Sequence, residues 1–274
     1  MKFYLLGYPV GHSVSPPMHN AAFKELRLTH DYSTLGVHPD QLAATIENKI
    51  RRDSFGGASV TIPHKIEIIK HMDELAGSAV RAGAVNTIEK TGDILRGHNT
   101  DAIGGIRALT EVYGSIARAR VVLLGAGGAA NALAAELAPR VRDLMILNRS
   151  VEKAKALSDR LDGETGYGSI LDQSVIESAD ILINATPVGM SPNIGESPVE
   201  SEYLHSGLLV YDIVYNPLKT QLLKDAEAAG ERTLGGLWML VYQGVEAFKI
   251  WTGIEPSAQT MYDAALAALE ANRH

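Results

Sequence analysis

The sequence has no cysteine among its 274 residues. A disulfide framework, a thiolate zinc site and a cysteine nucleophile are therefore excluded, and a reducing cytoplasm is the natural setting. Aromatic residues are scarce at 6%. The sequence has 25 basic and 32 acidic residues, which gives a formal net charge of -7. The chain thus offers no basic field for nucleic acid, and an anionic ligand must be held by a few local donors.

Long apolar runs are also rare. The longest, residues 121–138, approaches the length of a membrane span, but it is rich in Gly and Ala and contains Asn131 and Glu136. A strand, a tight turn and a buried helix explain it better than a bilayer does. The apolar run at the N-terminus is too short for a signal peptide and predicts a first strand. Because the apolar run is better explained by a folded strand and helix, we expect no membrane partner. The nine histidines show no metal-binding spacing, so we also expect no metal site.

The length favours two domains, and a hydrophobic fraction of 46% supports a well-formed core in each. In the first, short apolar runs bounded by Gly, Pro or Asn predict strands at 2–7, 31–37, 57–62, 85–89 and 94–98. Helical periodicity predicts helices at 16–26, 39–51, 63–72 and 101–113. From residue 120 the alternation becomes regular, with strands at 121–124, 144–147, 166–170, 180–185, 208–213 and 231–234. Six such strands fill a doubly wound nucleotide-binding sheet.

Two long predicted helices, 237–251 and 257–271, have no place in that sheet, and we expect them to return to the first domain. The predicted boundaries are therefore 1–101 with 237–274 for a discontinuous domain and 102–236 for an inserted one. Glycine pairs make 99–105 and 235–236 the expected hinges.

The stretch VVLLGAGGAA places Gly125, Gly127 and Ala130 in a G-x-G-x-x-A pattern between a strand and a helix. Glycines there allow a tight turn and close approach of backbone amides to a pyrophosphate. Any Gly/Ala-rich turn can resemble this pattern, but here both flanking elements are the expected ones. We interpret the loop as a dinucleotide site.

The next predicted strand is followed by Asn148, Arg149 and Ser150, where an NAD site would carry an acid for the ribose diol. A guanidinium with small polar neighbours suits a 2′-phosphate, which a carboxylate would repel. Lys153 follows one turn later. Arg149 could instead be a solvated residue at a strand end, but the pattern favours NADP.

Polar residues of the first domain gather near predicted element ends. Ser13 and Ser15 precede Pro16, so Ser15 is the natural N-cap of the helix that starts there. Alternatively, the two serines bind a small carboxylate beside the helix N-terminus. The stretches GAVNT and GHNTD each place Asn-Thr near a strand end, as turn residues or as ligands of a polyhydroxylated molecule.

VTIPHK, residues 60–65, reads as a strand end that runs into a proline-started helix with Lys65 in its first turn. A cation there opposes the positive end of the helix dipole, so a sequence optimised for stability alone would place it elsewhere. Lys65 is either a solvated surface charge or a working group.

In order along the chain, GYPVGHSVSPPMHN, VTIPHK, GAVNT, GHNTD, GAGGAA, NRS, NATPVGM, YNPLKT and GLWMLVYQG resemble the motifs of the shikimate/quinate dehydrogenase family. The resemblance covers nearly the whole chain. It implies an α/β substrate-binding domain built from both chain ends and an inserted Rossmann-type, doubly wound NADP-binding domain. It also implies NADP-dependent reduction of 3-dehydroshikimate to shikimate, on the route to chorismate and aromatic amino acids, by a monomer or homodimer.

The resemblance also implies roles for individual residues. It makes Lys65 the catalytic lysine, paired with Asp101. The implied substrate contacts are the carboxylate-binding Ser13 and Ser15 and the hydroxyl-contacting Thr61, Asn86, Asp101, Tyr215 and Gln243. The implied cofactor contacts are Gly125, Ala126, Gly127, Gly128 and Ala129 at the pyrophosphate, Asn148, Arg149, Ser150 and Lys153 at the 2′-phosphate, and Thr186, Ile213 and Gly236 at the nicotinamide half. Two positions depart from the family pattern, Gly77 where an acid is frequent and His64 where another aromatic residue is frequent.

Hydride delivery to a ketone leaves developing negative charge on oxygen, which needs a donor that the cofactor does not supply. The family's chemistry makes Lys65 that donor and Asp101 the group that orients it. One alternative is a quinate or dual-specificity dehydrogenase that uses NAD, against which Arg149 argues. The other is a non-catalytic NADP-binding sensor, against which the presence of Lys65 and Asp101 argues.

Overall fold

The computed structural model describes residues 1–271 and divides into two compact units. One comprises Met1–Thr100 and the chain from Val241 onward, and the other comprises Asp101–Leu240. Each unit contains its own six-stranded sheet. The two-domain α/β fold class expected from the sequence is thus confirmed.

The first unit is built on a mixed sheet in the order β2-β1-β3-β5-β6-β4. Its strands are β1 Lys2–Gly7, β2 Asp31–Gly36, β3 Phe55–Val60, β4 Glu74–Leu75, β5 Thr87–Thr91 and β6 Ile94–His98. The β1 strand pairs in parallel with β2 and β3, whereas β5 pairs antiparallel with β3 and β6. Every residue of β3 is buried, as expected for a central strand covered on both faces.

Short helices follow the strands of the first unit, and two long helices complete it. The helices are α1 Ser15–Glu25, α2 Leu42–Thr45, α3 Gly77–Ala82, and short 3-10 segments at Pro39–Gln41 and Glu67–His71, with a π turn at Ile46–Ile50. On one face of the sheet an aliphatic core surrounds Leu6, Ile46 and Ile88. The other face carries aromatic rings, including Phe3, Phe23 and Trp251.

The second unit has an all-parallel sheet in the order β12-β11-β10-β7-β8-β9. Its strands are β7 Arg120–Leu124, β8 Asp143–Asn148, β9 Thr165–Ser169, β10 Ile181–Asn184, β11 Leu209–Asp212 and β12 Arg232–Gly235. Its helices are α4 Asp101–Tyr113, α5 Gly128–Leu137, α6 Val151–Ser158 and α7 Gln221–Ala228, with 3-10 segments at Gln173–Ser178 and Ser201–Tyr203. The order reverses between β7 and β10, which is the switch point of a doubly wound dinucleotide fold. The predicted Rossmann-type sheet is confirmed.

The last two helices are α8 Leu237–Thr252 and α9 Ala258–Ala271. The α8 helix carries the chain from the second unit into the first, and α9 packs against α1. The Trp251 indole donates to the Ile88 carbonyl at 3.0 Å and so joins α8 to the first sheet. From Val241 onward the chain belongs to the first unit, and the domain bounds expected from the sequence stay a prediction.

One predicted helix, 63–72, is wrong. Residues 63–66 form turns, and only the 3-10 segment Glu67–His71 follows. The Lys65 carbonyl accepts from the Val85 backbone N–H at 2.7 Å, so it is not spent on a helical bond to Ile69. The side chain of His64 is also drawn inward, with Nε2 at 2.7 Å from the Val37 carbonyl. Tertiary hydrogen bonds therefore replace the helix that the local sequence favours.

Smaller differences concern short elements. The predicted strand 85–89 begins two residues later, as β5, and neither β4 nor α3 was expected. A strand of two residues and a helix of six carry too little periodicity to be found in a sequence. By contrast, helix 101–113 and strands 2–7 and 94–98 have the predicted bounds.

Candidate active site

In the first unit, buried amide and hydroxyl groups form one connected cluster. The Asn86 side-chain oxygen, Oδ1, accepts from the Thr100 backbone N–H at 2.8 Å and from the Thr87 hydroxyl at 2.9 Å. The Asn86 amide nitrogen lies 3.0 Å from the Thr100 hydroxyl and 3.4 Å from Gln243 Oε1 on α8. Asn86 and Gln243, predicted from positions 157 residues apart, therefore meet, and the Asn-Thr pairs of GAVNT and GHNTD face each other.

The two serines lie at the start of α1, but not as predicted. The helix begins at Ser15 itself, and its N-cap residue is Val14, without a side-chain cap. Ser13 Oγ accepts from the Ser15 backbone N–H at 3.2 Å. The capping role predicted for Ser15 is therefore wrong, because Ser15 is the first helical residue and Val14 occupies the cap position. Ser15 is only 5% exposed.

Lys65 lies in the turn that follows β3, with its side chain half-buried. The argument that a helix dipole disfavours a cation at this position no longer applies, because no helix begins there. Thr61, also half-buried, donates its backbone N–H to the Leu6 carbonyl at 2.8 Å and so holds the turn to the end of β1. His64, the departure from the family pattern, anchors the same turn to Val37. Gly77, the other departure, is the first residue of α3.

Two further predicted substrate residues belong to the second unit. Asp101 is the first residue of α4 and is half-buried. Tyr215 follows β11 by three residues, and burial raises the pKa of its phenol. The phenol is therefore a hydrogen-bond donor at neutral pH.

The glycine loop joins β7 to α5 in the second unit. Gly125 has φ +109°, which L side chains rarely adopt, and a Cβ atom there would lie 3.0 Å from the Ala185 carbonyl oxygen. Cβ atoms built on Gly127 and Gly128 would instead meet open space. The loop therefore presents bare backbone at a helix N-terminus, which fits the pyrophosphate of a dinucleotide. Ala126 and Ala129 are the half-buried remainder of the predicted loop.

The predicted 2′-phosphate residues follow β8. Asn148 donates its amide to the Ser150 carbonyl at 2.9 Å, while Arg149 and Lys153 are exposed. Ser150 is the N-cap of α6, so its hydroxyl is already engaged with the Lys153 backbone N–H and with Glu152 at 2.7 Å. Glu152 was missed in the sequence. The hydrogen bond from Ser150 lowers the pKa of the Glu152 carboxyl, so a negative charge stays beside Arg149 and Lys153.

Thr186, Ile213 and Gly236 all follow strands of the second sheet, at its carboxyl edge. Thr186 follows β10, and Ile213 follows β11, its backbone N–H donating to the Asn184 carbonyl at 3.1 Å. A Cβ atom on Gly236 would lie 2.1 Å from the Ile213 carbonyl oxygen, so only glycine fits there. The three residues predicted at the nicotinamide are thereby grouped on one edge, where open α/β sheets bind ligands.

Asp212 is one of the buried polar residues that the sequence interpretation missed. It is fully buried at the end of β11, and its carboxylate accepts three hydrogen bonds. The only sequence signal is an acid that ends an otherwise apolar strand, LLVYD. Among the described residues, no three His, Asp or Glu side chains gather as metal ligands do, and no helix is long and apolar enough to cross a membrane.

Three family models match the chain. They are described as the shikimate dehydrogenase substrate binding domain (residues 5–88), shikimate / quinate 5-dehydrogenase (108–215) and the shikimate 5'-dehydrogenase C-terminal domain (236–266). A relative named shikimate dehydrogenase (NADP(+)), from Methanothermobacter thermautotrophicus, is 47% identical over 267 residues, which cover 95% of this chain and 94% of the relative. The chain belongs to the shikimate dehydrogenase family.

Solved structures agree with this family. The crystal structure of a shikimate dehydrogenase in complex with NADP+ has a TM-score of 0.93 and 42% identity, covering 98% of this chain and 95% of the other. The shikimate 5-dehydrogenase of Thermus thermophilus, in complex with NADP(H) and shikimate, has a TM-score of 0.89 and 34% identity, covering 98% and 99%. The two-domain architecture of the shikimate dehydrogenase family therefore extends over the whole chain.

Proposed function

We propose that the chain catalyses the reversible, NADP-dependent reduction of 3-dehydroshikimate to shikimate, a step toward chorismate and the aromatic amino acids. The family relationship carries this proposal, since relatives named for this activity match 95% of the chain at 47% identity. The sensor alternative gains no support from them, and the quinate alternative is left to the assay described below.

In this proposal the predicted substrate-binding domain, residues 1–101 and 237–274, supplies every substrate residue except Tyr215. Ser13 and Ser15 hold the carboxylate, because hydroxyl and amide donors at the start of α1 suit an anion. The hydroxyl groups are recognised by Thr61, Asn86, Asp101, Tyr215 and Gln243. The connected Asn86–Thr100–Gln243 cluster supports this role, since its amides are already oriented before a substrate arrives.

The second unit, predicted as 102–236, holds NADP. The bare loop from Gly125 to Ala129 receives the pyrophosphate, and Asn148, Arg149, Ser150 and Lys153 surround the 2′-phosphate. Glu152 beside Ser150 opposes the phosphate charge, so Arg149 and Lys153 must outweigh it. When bound, the cofactor supplies the hydride. Thr186, Ile213 and Gly236 orient its nicotinamide end at the sheet edge.

Lys65 acts on the substrate oxygen in the proposed chemistry. Its ammonium stabilises the developing negative charge and donates the proton that completes the alcohol. Asp101 orients the lysine and one substrate hydroxyl. In the reverse direction the same amine takes the proton back. The turn that carries Lys65 is held by the His64 and Thr61 hydrogen bonds, so the amine is positioned without a helix.

A steady-state comparison of shikimate and quinate, each with NADP+ and NAD+, tests the proposal. We expect the highest kcat/KM for shikimate with NADP+. Preference for quinate with NAD+ would replace the proposal with the quinate dehydrogenase, and binding of NADP without any reaction would support the sensor.

Replacing Lys65 by alanine tests the chemical role. We expect Lys65→Ala to lower kcat by several orders of magnitude, about 10²–10⁴, with little change in KM, because a proton donor acts in the transition state. Lys70→Ala is the matched control, since Lys70 lies five residues away and pairs with Glu67 at 2.8 Å. A large rise in KM at unchanged kcat would instead make Lys65 a binding residue.

The monomer or homodimer state, the cytoplasmic location and the hinges at 99–105 and 235–236 stay predictions. Gel filtration tests the oligomeric state. Comparing the angle between the lobes in free and doubly liganded crystals tests the hinges. Identical angles in the two crystals would contradict the hinges.

A further inference from the structure

Asp212 lies at the carboxyl edge of the second sheet, where β11 ends beside β10. One carboxylate oxygen, Oδ1, accepts from the Asn184 amide at 3.0 Å and from the Val214 backbone N–H at 3.0 Å. The other, Oδ2, accepts from the Thr220 hydroxyl at 2.7 Å. Since Asp212 is fully buried, all of its charge is held by these donors.

The Asn184 side chain links Asp212 to the segment that follows β10. A side-chain amide can face a neighbour with either its oxygen or its nitrogen, and a carboxylate accepts only. Asp212 therefore selects the orientation in which the nitrogen faces β11 and the oxygen faces forward. That oxygen accepts from the Thr186 backbone N–H at 3.0 Å and from the Thr186 hydroxyl at 2.7 Å.

The segment so oriented also touches the glycine loop. The Ala185 carbonyl oxygen and Thr186 Cγ2 would lie 3.0 and 3.3 Å from a Cβ atom on Gly125. The Val188 backbone N–H in turn donates to the Thr186 hydroxyl at 3.3 Å. Residues 184–186 are thus held between the buried carboxylate on one side and the dinucleotide loop on the other.

We propose that Asp212 is a positioning residue that, through the amide of Asn184, fixes Thr186 against the nicotinamide half of the bound cofactor. The inference deepens the proposed function and rests on it for the identity of the cofactor. The 2′-phosphate end is held by a different strand end, β8, and lies outside this hydrogen-bond chain. Loss of Asp212 should therefore affect one half of the cofactor site and not the other.

Three variants separate this role from a general loss of structure. Asp212→Ala removes the nearer of the two acceptors of the Asn184 side-chain amide, at 3.0 Å, and leaves the Val188 carbonyl at 3.4 Å. Asp212→Asn keeps one acceptor oxygen for the Asn184 amide and can donate to Thr220, so it should rescue most of the effect. Thr220→Val is the comparison variant, because it removes the hydrogen bond to Oδ2 and the cap of α7 at Leu223 but leaves both hydrogen bonds to Oδ1 in place.

The first measurement needs no cofactor. Hydrogen exchange of the Thr186 amide should become about tenfold faster or more in Asp212→Ala, because its acceptor is no longer held, and stay within about threefold in the other two variants. Affinity for adenosine 2′,5′-bisphosphate, which carries only the adenine end, should stay within about threefold in all of them. Affinity for NADPH relative to that probe should fall only in Asp212→Ala.

Activity then adds a second readout. In Asp212→Ala, kcat should fall by about tenfold or more while the KM for shikimate changes little, since the interaction is lost at the hydride donor. Unchanged Thr186 exchange in Asp212→Ala would overturn the inference, as would an equal effect of Thr220→Val or a parallel loss of the adenine-end probe. A wild-type protein without shikimate-dependent NADP+ reduction would sink the proposed function alone, because exchange and binding still report on the positioning.

Discussion

The two units bury an ionisable side chain in opposite ways. In the first, His19 on α1 is completely buried, stacked on Tyr32 with ring centroids 4.4 Å apart, and neither ring nitrogen has a hydrogen-bond partner among the described residues. In the second, Asp212 is equally buried but accepts three hydrogen bonds. The first group is used as an aromatic ring, whereas the second is used as an oriented acceptor.

The difference has a consequence for charge. Burial lowers the pKa of His19 from 6.5 to about 3, so the ring stays neutral. Burial also raises the pKa of Asp212 from 3.8 to about 6, even though hydrogen bonds from Thr220, Val214 and Asn184 act in the opposite direction. Both shifts disfavour the charged form, yet they make stability depend on pH with opposite signs.

The largest expected effect on the free energy of unfolding is the loss at low pH that buried His19 causes. The unfolded chain binds a proton on this histidine below about pH 6.5, whereas the folded chain does not, so wild type loses stability as the pH falls. Relative to His19→Phe, we expect a loss of about 3 kcal/mol between pH 7 and pH 4, at about 1.4 kcal/mol per unit. Urea unfolding of both proteins at several pH values measures it. His12→Phe, the same exchange at an exposed position, is the control, and a pH-independent difference for His19→Phe would break the comparison.

Asp212 should show the reverse slope. Its raised pKa means that the folded chain holds the proton more tightly than the unfolded chain between about pH 4 and pH 6. Wild type should therefore lose about 2 kcal/mol relative to Asp212→Asn as the pH rises from 4 to 7. The same unfolding experiment applies, with Asp180→Asn, directly before β10, as control. A difference that grows in favour of wild type over this range would contradict the expected sign.

The smallest effect concerns what anchors α1, since His19 makes no polar bond among the described residues. The neighbouring Asn20 donates to the Tyr32 carbonyl at 2.8 Å and accepts from the Tyr32 backbone N–H at 2.9 Å. We expect Asn20→Ala to cost about 1–2 kcal/mol at every pH between 4 and 7, because no titratable group is removed. Asn20→Asp keeps the acceptor but loses the donor, so its stability should lie between those of wild type and Asn20→Ala. A strongly pH-dependent loss in Asn20→Ala would mean that His19 and Asn20 act as one unit.

The same contrast explains how much of the site was predictable. Asn86 and Gln243 were found from motifs, and the structure joins them in one hydrogen-bonded cluster. The glycine loop was found because its spacing is local and its backbone requirement is met by residue type. Asp212 was missed, because the sequence at the end of a strand does not show whether an acidic side chain is exposed to solvent or buried against three hydrogen-bond donors.

The errors in the first unit have a related origin. Helix 63–72 was expected from a proline and from apolar spacing, but the Lys65 carbonyl and the His64 ring are bonded to Val85 and Val37. Ser15 was expected as a cap, but the helix starts one residue earlier and Ser13 bonds the amide. In the first case distant partners decide the conformation, and in the second the helix start shifts so that Val14 occupies the cap position.

The sequence by itself determined the two-domain α/β class, the doubly wound sheet, the family and the residue types of the site. Periodicity, glycine spacing and ordered motifs are local properties, and they can be read along the chain. Only the tertiary structure decided that Lys65 lies in a turn, that His19 stays a neutral buried ring and that Asp212 orients Asn184. Those outcomes depend on which distant groups share a buried space, because there an unmet hydrogen bond or an unpaired charge costs the most.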